Sequence, residues 1–216
     1  MVRKDLKLPS NFRPIYLEEK KAFYEEINII VSIDIEEPIE FEFHGNRNYG
    51  KGLFWCKNLI LILNIIYADK YIVSEVRLFK SLNKIEFLDD EVYVLPYSNV
   101  NSIGEICYDP ESRQLLNTKF PTIEKAILNA YNVFWITSFL VDDLSASHIL
   151  SANRNYSYRF PKEVREVFNF YESFESPNHK VVVMISDMIK NGASPEDIDI
   201  FLDKLKMSQF TLRSLV

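Results

Sequence analysis

The stretch NVNSIGEICYDP, residues 99–110, combines side chains that could support nucleophilic chemistry. It follows a run of alternating apolar residues and contains Cys107, one of two cysteines in 216 residues. Asn99 suits a turn, Gly104 permits a positive φ, and Ile106 is expected to point inward and anchor the loop. Cys107 would then lie on a rigid loop just outside a sheet, open to a bulky partner. The pattern also suits a small side chain packed under the loop, because free cysteines are often buried.

Other residue types that often carry chemistry are scattered. His44, His148 and His179 lack the spacing of metal ligands, so neither a metal nor a cofactor is predicted. Residues 44–52, HGNRNYGKG, contain three glycines but lack the order of a phosphate-binding P-loop, so an ordinary loop is predicted. Cys56 is predicted to be a core residue, and both cysteines are interpreted as free thiols.

The composition indicates a globular protein of the cytoplasm. Hydrophobic residues make up 47% of the chain, which is enough for a substantial core. The formal charge of −6 provides no broad basic surface, so nucleic acid is not an expected partner. The N-terminus lacks the apolar core of a secretory signal, and the longest apolar run, residues 59–68, is too short to span a bilayer. We therefore expect protein partners and no membrane, and the oligomeric state stays open.

Strand patterns come first in the chain, which favours an α+β fold with an antiparallel sheet of about four strands. Residues 27–43 alternate in polarity as strands do. Residues 70–79 and 84–95 suit an antiparallel pair joined by a turn. Residues 53–67 are almost continuously apolar, so periodicity does not distinguish a buried strand from a buried helix there.

Helix patterns dominate the C-terminal half. A long helix with a wide buried face is predicted from Pro121 to about residue 140, and another over 161–174. Two further helices are predicted within 179–208, separated where Asn191-Gly192 stops the first and Ser194 caps the second. We expect the apolar faces of this last pair to pack against the domain rather than to dock a partner.

Residues 97–107, YSNVNSIGEIC, resemble the active-site segment of ubiquitin-conjugating (E2) enzymes. The family pattern is His-Pro-Asn, a hydrophobic residue, a short turn, Gly, any residue, Ile or Val, and the catalytic Cys. Four residues fall in register with it: Asn99, Gly104, Ile106 and Cys107. Tyr97 and Ser98 replace the His and the Pro. The resemblance covers about residues 70–145 and is closest to bacterial E2-like proteins, particularly the protein B family of PRTRC-type gene clusters.

The resemblance implies an architecture and partners. The expected fold is a UBC-like antiparallel β-meander flanked by helices, with N-terminal and C-terminal extensions. The implied divisions are a strand-rich extension over 1–52, an E2-like core over 53–160 and C-terminal helices over 161–216. PRTRC-type clusters also encode a ubiquitin-like protein and a ThiF-like (E1-like) activating enzyme, so both are implied as partners.

The resemblance also implies roles for individual residues. Cys107 would accept the modifier as a thioester and pass it to an amine. Asn99 would donate a hydrogen bond to the oxyanion or hold the loop in shape. Asp143 or its neighbour Asp142 would orient the amine, and Tyr97 would replace the loop-supporting hydrogen bond of the missing His.

Two alternatives stay open beside the conjugating enzyme. The chain could be a non-catalytic E2 variant that binds a ubiquitin-like protein or its E1-like partner, which the altered His-Pro-Asn favours and an intact Cys107 disfavours. It could instead be a thiol redox protein, although no Cys-x-x-Cys is present.

Overall fold

The structure is a computed structural model, and it describes residues 6–21, 24–44, 49–95, 100, 103–136, 139–140, 177–204 and 209–216. These residues form a mixed α+β fold, as the sequence predicts. The strands are β1 (Phe12–Lys21), β2 (Glu25–Ile33), β3 (Ile39–His44), β4 (Tyr49–Phe54), β5 (Leu59–Ala68), β6 (Lys70–Lys80), β7 (Glu91–Val94), β8 (Phe139–Leu140) and β9 (Gln209–Thr211). The helices are α1 (Pro110–Leu116), α2 (Ile123–Ile136), α3 (Pro177–Lys190) and α4 (Pro195–Lys204), and a 3₁₀ turn covers Leu212–Leu215.

Six strands form one antiparallel sheet in the order β1-β2-β5-β6-β7-β9. β2 pairs with β5 from Glu25 opposite Tyr67 to Ile33 opposite Leu59, although β3 and β4 lie between them in the chain. The sheet is larger than the four strands expected, because β1 at one edge and the short β9 at the other were not predicted. β1 pairs with β2, its neighbour in the chain, whereas β9 pairs with the distant strand β7, a pairing that local periodicity does not indicate.

Both faces of this sheet are covered, which explains the continuous apolar run in β5. Residues 59–63 are all buried. On one face, the Phe12 ring contacts Tyr131 of α2 at a centroid distance of 5.1 Å. The next residue, Arg13, donates a 2.8 Å hydrogen bond to the Ile85 carbonyl in the connection between β6 and β7. Because successive strand residues face opposite sides, α2 and this connection cover opposite faces. The undecided segment is therefore a doubly buried strand.

A second sheet has the order β4-β3-β8. β3 and β4 form an antiparallel pair, so most of the predicted loop over 44–52 is wrong, and residues 45–48 lie outside the described residues. The long predicted helix also ends earlier than expected, at Ile136, because residues 139–140 pair in parallel with β3. β4 pairs with β3, its neighbour in the chain, whereas β8 pairs with the same strand from far along the sequence. In both places strand pairing outweighs the local pattern.

The predicted strand over 84–95 is mostly wrong, since only Glu91–Val94 form a strand. The Asp90 carboxylate accepts hydrogen bonds from the backbone amides of Glu86, at 2.6 Å, and Phe87, at 2.9 Å. An aspartate that binds nearby amides in this way favours a turn over a strand ladder.

The two predicted C-terminal helices are confirmed as α3 and α4. Gly192, at φ 87°, follows α3, and Ser194 begins α4. The Ser194 hydroxyl accepts from the Asp197 amide, while the Asp197 carboxylate accepts from the Ser194 amide, which is a reciprocal capping arrangement. Most described residues of their predicted apolar faces are buried, as expected, namely Val182, Ile185, Ile198, Phe201 and Leu202, while Met188 is partly buried. The helix predicted over 161–174 lies outside the described residues.

Among the residues described above, no helix has both the length and the apolar character needed to cross a bilayer. The proposed divisions 1–52, 53–160 and 161–216 stay a prediction.

A buried ion pair connects α4 to the end of β6. The Lys80 side chain is fully buried, and its Nζ lies 2.8 Å from the Asp199 carboxylate. The same Nζ donates to the carbonyls of Lys57, at 2.7 Å, and Ser81, at 2.9 Å. Burial raises the pKa of the Asp199 carboxyl, and the Lys80 ammonium opposes that rise. The two carbonyls accept hydrogen bonds from the ammonium, and the Asp199 carboxylate balances its charge, so each charged partner depends on the other.

Replacing Lys80 alone should destabilise the fold strongly. We expect Lys80→Met to lower the free energy of unfolding by about 3–5 kcal/mol, because it leaves the Asp199 carboxyl buried without its partner. The double variant Lys80→Met with Asp199→Leu should recover much of this loss, since an apolar pair of similar volume needs no compensation. Urea unfolding at neutral pH measures both. Equal midpoints for wild type and Lys80→Met would contradict a stabilising link between β6 and α4.

Candidate functional site

The three residues directly before Cys107 are bound to the edge of β6. We call these residues, 104–106, the docked segment. Its middle residue, Glu105, lies opposite Arg77 in an isolated antiparallel bridge. Cys107 is therefore the first residue beyond a short piece of sheet, as the loop pattern predicts.

Two backbone hydrogen bonds hold the docked segment. The Leu78 amide donates to the Gly104 carbonyl over 2.8 Å. The Ile106 amide donates to the Val76 carbonyl over 3.4 Å. The segment uses the same edge of β6 that pairs with β7 at Phe79 and Lys80, so it continues the sheet where β7 ends.

The chain returns to β6 after α1. Tyr71 and Phe120 exchange a pair of backbone hydrogen bonds, each 2.9 Å long. Residues 107–119, which include α1, thus leave the sheet and are bound to β6 at both ends. Cys107 lies at the start of this excursion, where the backbone is constrained on its N-terminal side.

Gly104 is required at its position for two physical reasons. Its φ is 81°, a region that residues with a Cβ rarely adopt. A Cβ built on Gly104 would lie 2.3 Å from Cζ of the fully buried Phe79 ring. The backbone therefore passes directly against the Phe79 ring. This close approach leaves no room for a side chain at position 104.

The burial pattern around Cys107 alternates in the way the sequence suggests. Ile106 is 8% exposed and belongs to the core, as predicted for the loop anchor. It also forms an isolated bridge with Val100. Cys107 itself is exposed, so the alternative of a cysteine packed under the loop is wrong.

Tyr108 anchors the other side of Cys107. Its ring packs against the core, and its hydroxyl is buried with no hydrogen-bond partner among the described residues. Burial raises the pKa of the Tyr108 phenol above its ordinary value. The exposed thiol therefore stands between two side chains that are held in the core.

Asp109 caps the helix that begins directly after the site. Its carboxylate accepts hydrogen bonds from the Ser112 amide, at 2.8 Å, and from the Ser112 hydroxyl, at 2.7 Å. Pro110 opens α1, a position that suits proline. The bond from the Ser112 amide is the main reason that the pKa of Asp109 lies below its usual range. Asp109 thus serves as the N-cap of α1.

Cys56 has the opposite environment from Cys107. It is fully buried, and burial raises the pKa of its thiol to about 12, although Lys80 opposes the shift. A protonated, inaccessible thiol is a poor nucleophile. The prediction that Cys56 is a core residue is confirmed, and neither cysteine is in a disulfide.

The structure does not describe the other predicted site residues. Asn99, Tyr97, Asp142 and Asp143 lie outside the described residues. Within the described ranges, no group of three or more His, Cys, Asp or Glu side chains could hold a metal ion.

Sequence reasoning missed the residues that support the loop from β6. Phe79 underlies Gly104, and Arg77 lies opposite Glu105. Both were assigned to a strand, but no local signal indicates which strand residues meet a distant loop. A glycine followed two residues later by a buried isoleucine was the only hint of close backbone approach.

A matched pair of glycine substitutions should isolate the Phe79 contact. Gly104→Ala should cost roughly 2–4 kcal/mol, from the positive φ and from the clash with the ring. Gly192→Ala, at φ 87° with no atom within 4 Å of the added Cβ, should cost only about 1–2 kcal/mol. Urea unfolding of both variants provides the comparison. Equal losses would mean that the close approach to Phe79 does not constrain the loop.

The helix cap should make a pH-dependent contribution. Asp109→Ala should cost about 1 kcal/mol at pH 7, whereas Asp109→Asn, which retains a capping oxygen, should cost less. Because the pKa of Asp109 is lowered on folding, its charge stabilises the fold above the unfolded pKa, and this contribution disappears as pH falls through the folded value. Unfolding at pH 7 and near pH 3 should therefore show the difference between wild type and Asp109→Asn shrinking in acid. A constant difference would contradict the capping role of the carboxylate.

Comparison of the chain with known protein families, with curated proteins and with solved structures finds no match. The function must therefore be argued from the site itself.

Proposed function

We propose that this chain is an E2-like protein with a UBC-like core. In this proposal Cys107 accepts a ubiquitin-like modifier as a thioester from a ThiF-like activating enzyme and transfers it to an amine. The observation that carries the proposal is an exposed Cys107 placed directly after a segment bound to the sheet edge. An antiparallel sheet precedes it and α1 and α2 follow it, which is the order that the sequence resemblance implies.

The chemistry needs a thiol that two bulky partners reach in turn. The Cys107 sulfur attacks the thioester carbonyl on the activating enzyme, a new carbon–sulfur bond forms, and the activating enzyme's cysteine leaves as a thiolate that takes up the proton. An amine then attacks the same carbonyl and forms an amide bond, the carbon–sulfur bond breaks, and the leaving Cys107 thiolate takes up the proton that the amine loses. The exposed position of Cys107 supports both steps, because neither partner needs to enter a cavity.

Supporting roles are carried over from the resemblance. Asn99 would stabilise the oxyanion or shape the loop, and Tyr97 would replace the missing His. Asp143, or Asp142, would orient the incoming amine.

A second candidate is a binding module that has the E2-like surface without the transfer activity. The replacement of His-Pro by Tyr97-Ser98 favours it. A dithiol redox function has less support, because Cys56 is buried while Cys107 is exposed, so the two thiols do not form a reactive pair.

A charging assay tests the proposal. The chain is incubated with ATP, a ThiF-like enzyme and a ubiquitin-like protein from the same genome, and adducts are separated with and without dithiothreitol. Wild type and Cys56→Ala should form an adduct that dithiothreitol reverses, whereas Cys107→Ala should form none. Circular dichroism of each variant confirms that it is folded.

Two other results have clear meanings. An adduct that persists in Cys107→Ala would exclude Cys107 as the nucleophile. A stable complex with the ubiquitin-like protein, without any adduct in wild type, would favour the binding module.

A further inference from the structure

The C-terminal segment, residues 209–216, contacts two neighbouring residues on one face of β6. The Phe210 ring packs against Phe79 with centroids 5.9 Å apart and planes at 69°. The Leu215 carbonyl accepts a 2.7 Å hydrogen bond from the Arg77 guanidinium. Residues two apart on a strand share a face, so both contacts lie on the same side of the sheet.

Both of these β6 residues also meet the docked segment. The Phe79 ring lies directly under Gly104, and Arg77 lies opposite Glu105. The C-terminal segment and the docked segment therefore both contact the Phe79 ring, whereas Arg77 meets the docked segment through its backbone and Leu215 through its side chain. A displacement of the Phe79 ring would therefore change its contact with Gly104, which lies three residues before Cys107.

The C-terminal segment is attached to the sheet independently of these contacts. β9 pairs with β7, and the Arg213 amide donates a 2.6 Å bond to the Leu88 carbonyl. The Arg213 guanidinium also forms two hydrogen bonds with the Asp89 carboxylate, between side chains that are 63% and 70% exposed. Exposed ion pairs contribute little, so this one serves as a control that lies in the same segment.

We propose that the C-terminal segment positions Cys107, with Phe210 and Arg77 as positioning residues that act through the docked segment. Two backbone hydrogen bonds join residues 104–106 to β6. Phe210 holds the Phe79 ring in one position, and Gly104 packs against that ring. If the ring became mobile, residues 104–106 would separate from β6 more often. The consequence for catalysis rests on the proposed function, but the positioning itself does not.

A nitroxide attached to Cys107 reports on this positioning directly. Cys56 is buried, so a thiol-specific label reacts at Cys107 in the folded chain. Phe210→Ala should narrow the central line of the electron paramagnetic resonance spectrum, because the labelled loop becomes more mobile. Phe210→Tyr, which retains the ring, should restore the wild-type line shape, and Arg213→Ala should leave it unchanged.

Amide exchange locates the change. In Phe210→Ala, protection of the Leu78 and Ile106 amides, which form the two docking bonds, should fall by roughly three- to tenfold. Protection in β2 and β5 should stay at the wild-type level. An equal loss across the whole sheet would mean that Phe210 contributes only to global stability, and would overturn the proposal.

A second pair of variants keeps the test decisive if Phe210→Ala does not fold. Arg77 also contacts Glu75 through an ion pair of 2.8 Å. Arg77→Gln removes both this pair and the bond to Leu215, whereas Glu75→Gln removes the pair alone. The label should become more mobile only in Arg77→Gln. An unchanged line shape in Arg77→Gln, or an equal change in Glu75→Gln, would overturn the proposal.

None of these measurements needs the modifier or the activating enzyme. A mobile label in Phe210→Ala without any thioester in wild type would support positioning and count against the conjugating function. Thioester formation in wild type with an unresponsive label would support the conjugating function and overturn the positioning role.

Discussion

The backbone of Gly104 rests on the ring of Phe79, at a distance that leaves no room for a side chain. This contact, together with the bond from the Leu78 amide to the Gly104 carbonyl, sets the register of the residues that follow. Ile106 then enters the core and Cys107 faces outward. A shift of one residue would reverse these two environments and bury the thiol. The exposure of Cys107 is therefore a consequence of how Gly104 packs three positions earlier in the loop.

Three parts of the chain bind to the same edge of β6 on either side of this contact. From its C-terminal end backward, it binds β7, then the docked segment, then Phe120. Lys80, at the same end, is tied to α4 through Asp199. The opposite edge of β6 pairs with β5 along nearly its whole length. The loop that presents the thiol is thus joined to the most extensively paired part of the sheet, which is how rigid scaffolds hold reactive loops in place.

The sequence was sufficient for features that depend on local chemistry. The positive φ of Gly104, the inward Ile106 and the stop-and-restart at Gly192 and Ser194 each follow from what those side chains permit. It was insufficient where a distant partner decides the structure. The end of α2 at Ile136 depends on a strand pairing with β3, and the seat of the loop on Phe79 depends on tertiary packing. Neither interaction produces a periodic pattern of apolar residues in the sequence.

The most direct test of the proposed chemistry replaces the sulfur with an amine. A Cys107→Lys chain, incubated with ATP, the ThiF-like enzyme and the ubiquitin-like protein, should form an isopeptide that resists dithiothreitol, because an amide cannot be reversed by thiols. Mass spectrometry of the digested adduct should find the modifier's C-terminal carbonyl on the lysine introduced at position 107. A modifier found only on other lysines, or no adduct at all with a verified active enzyme, would contradict the account.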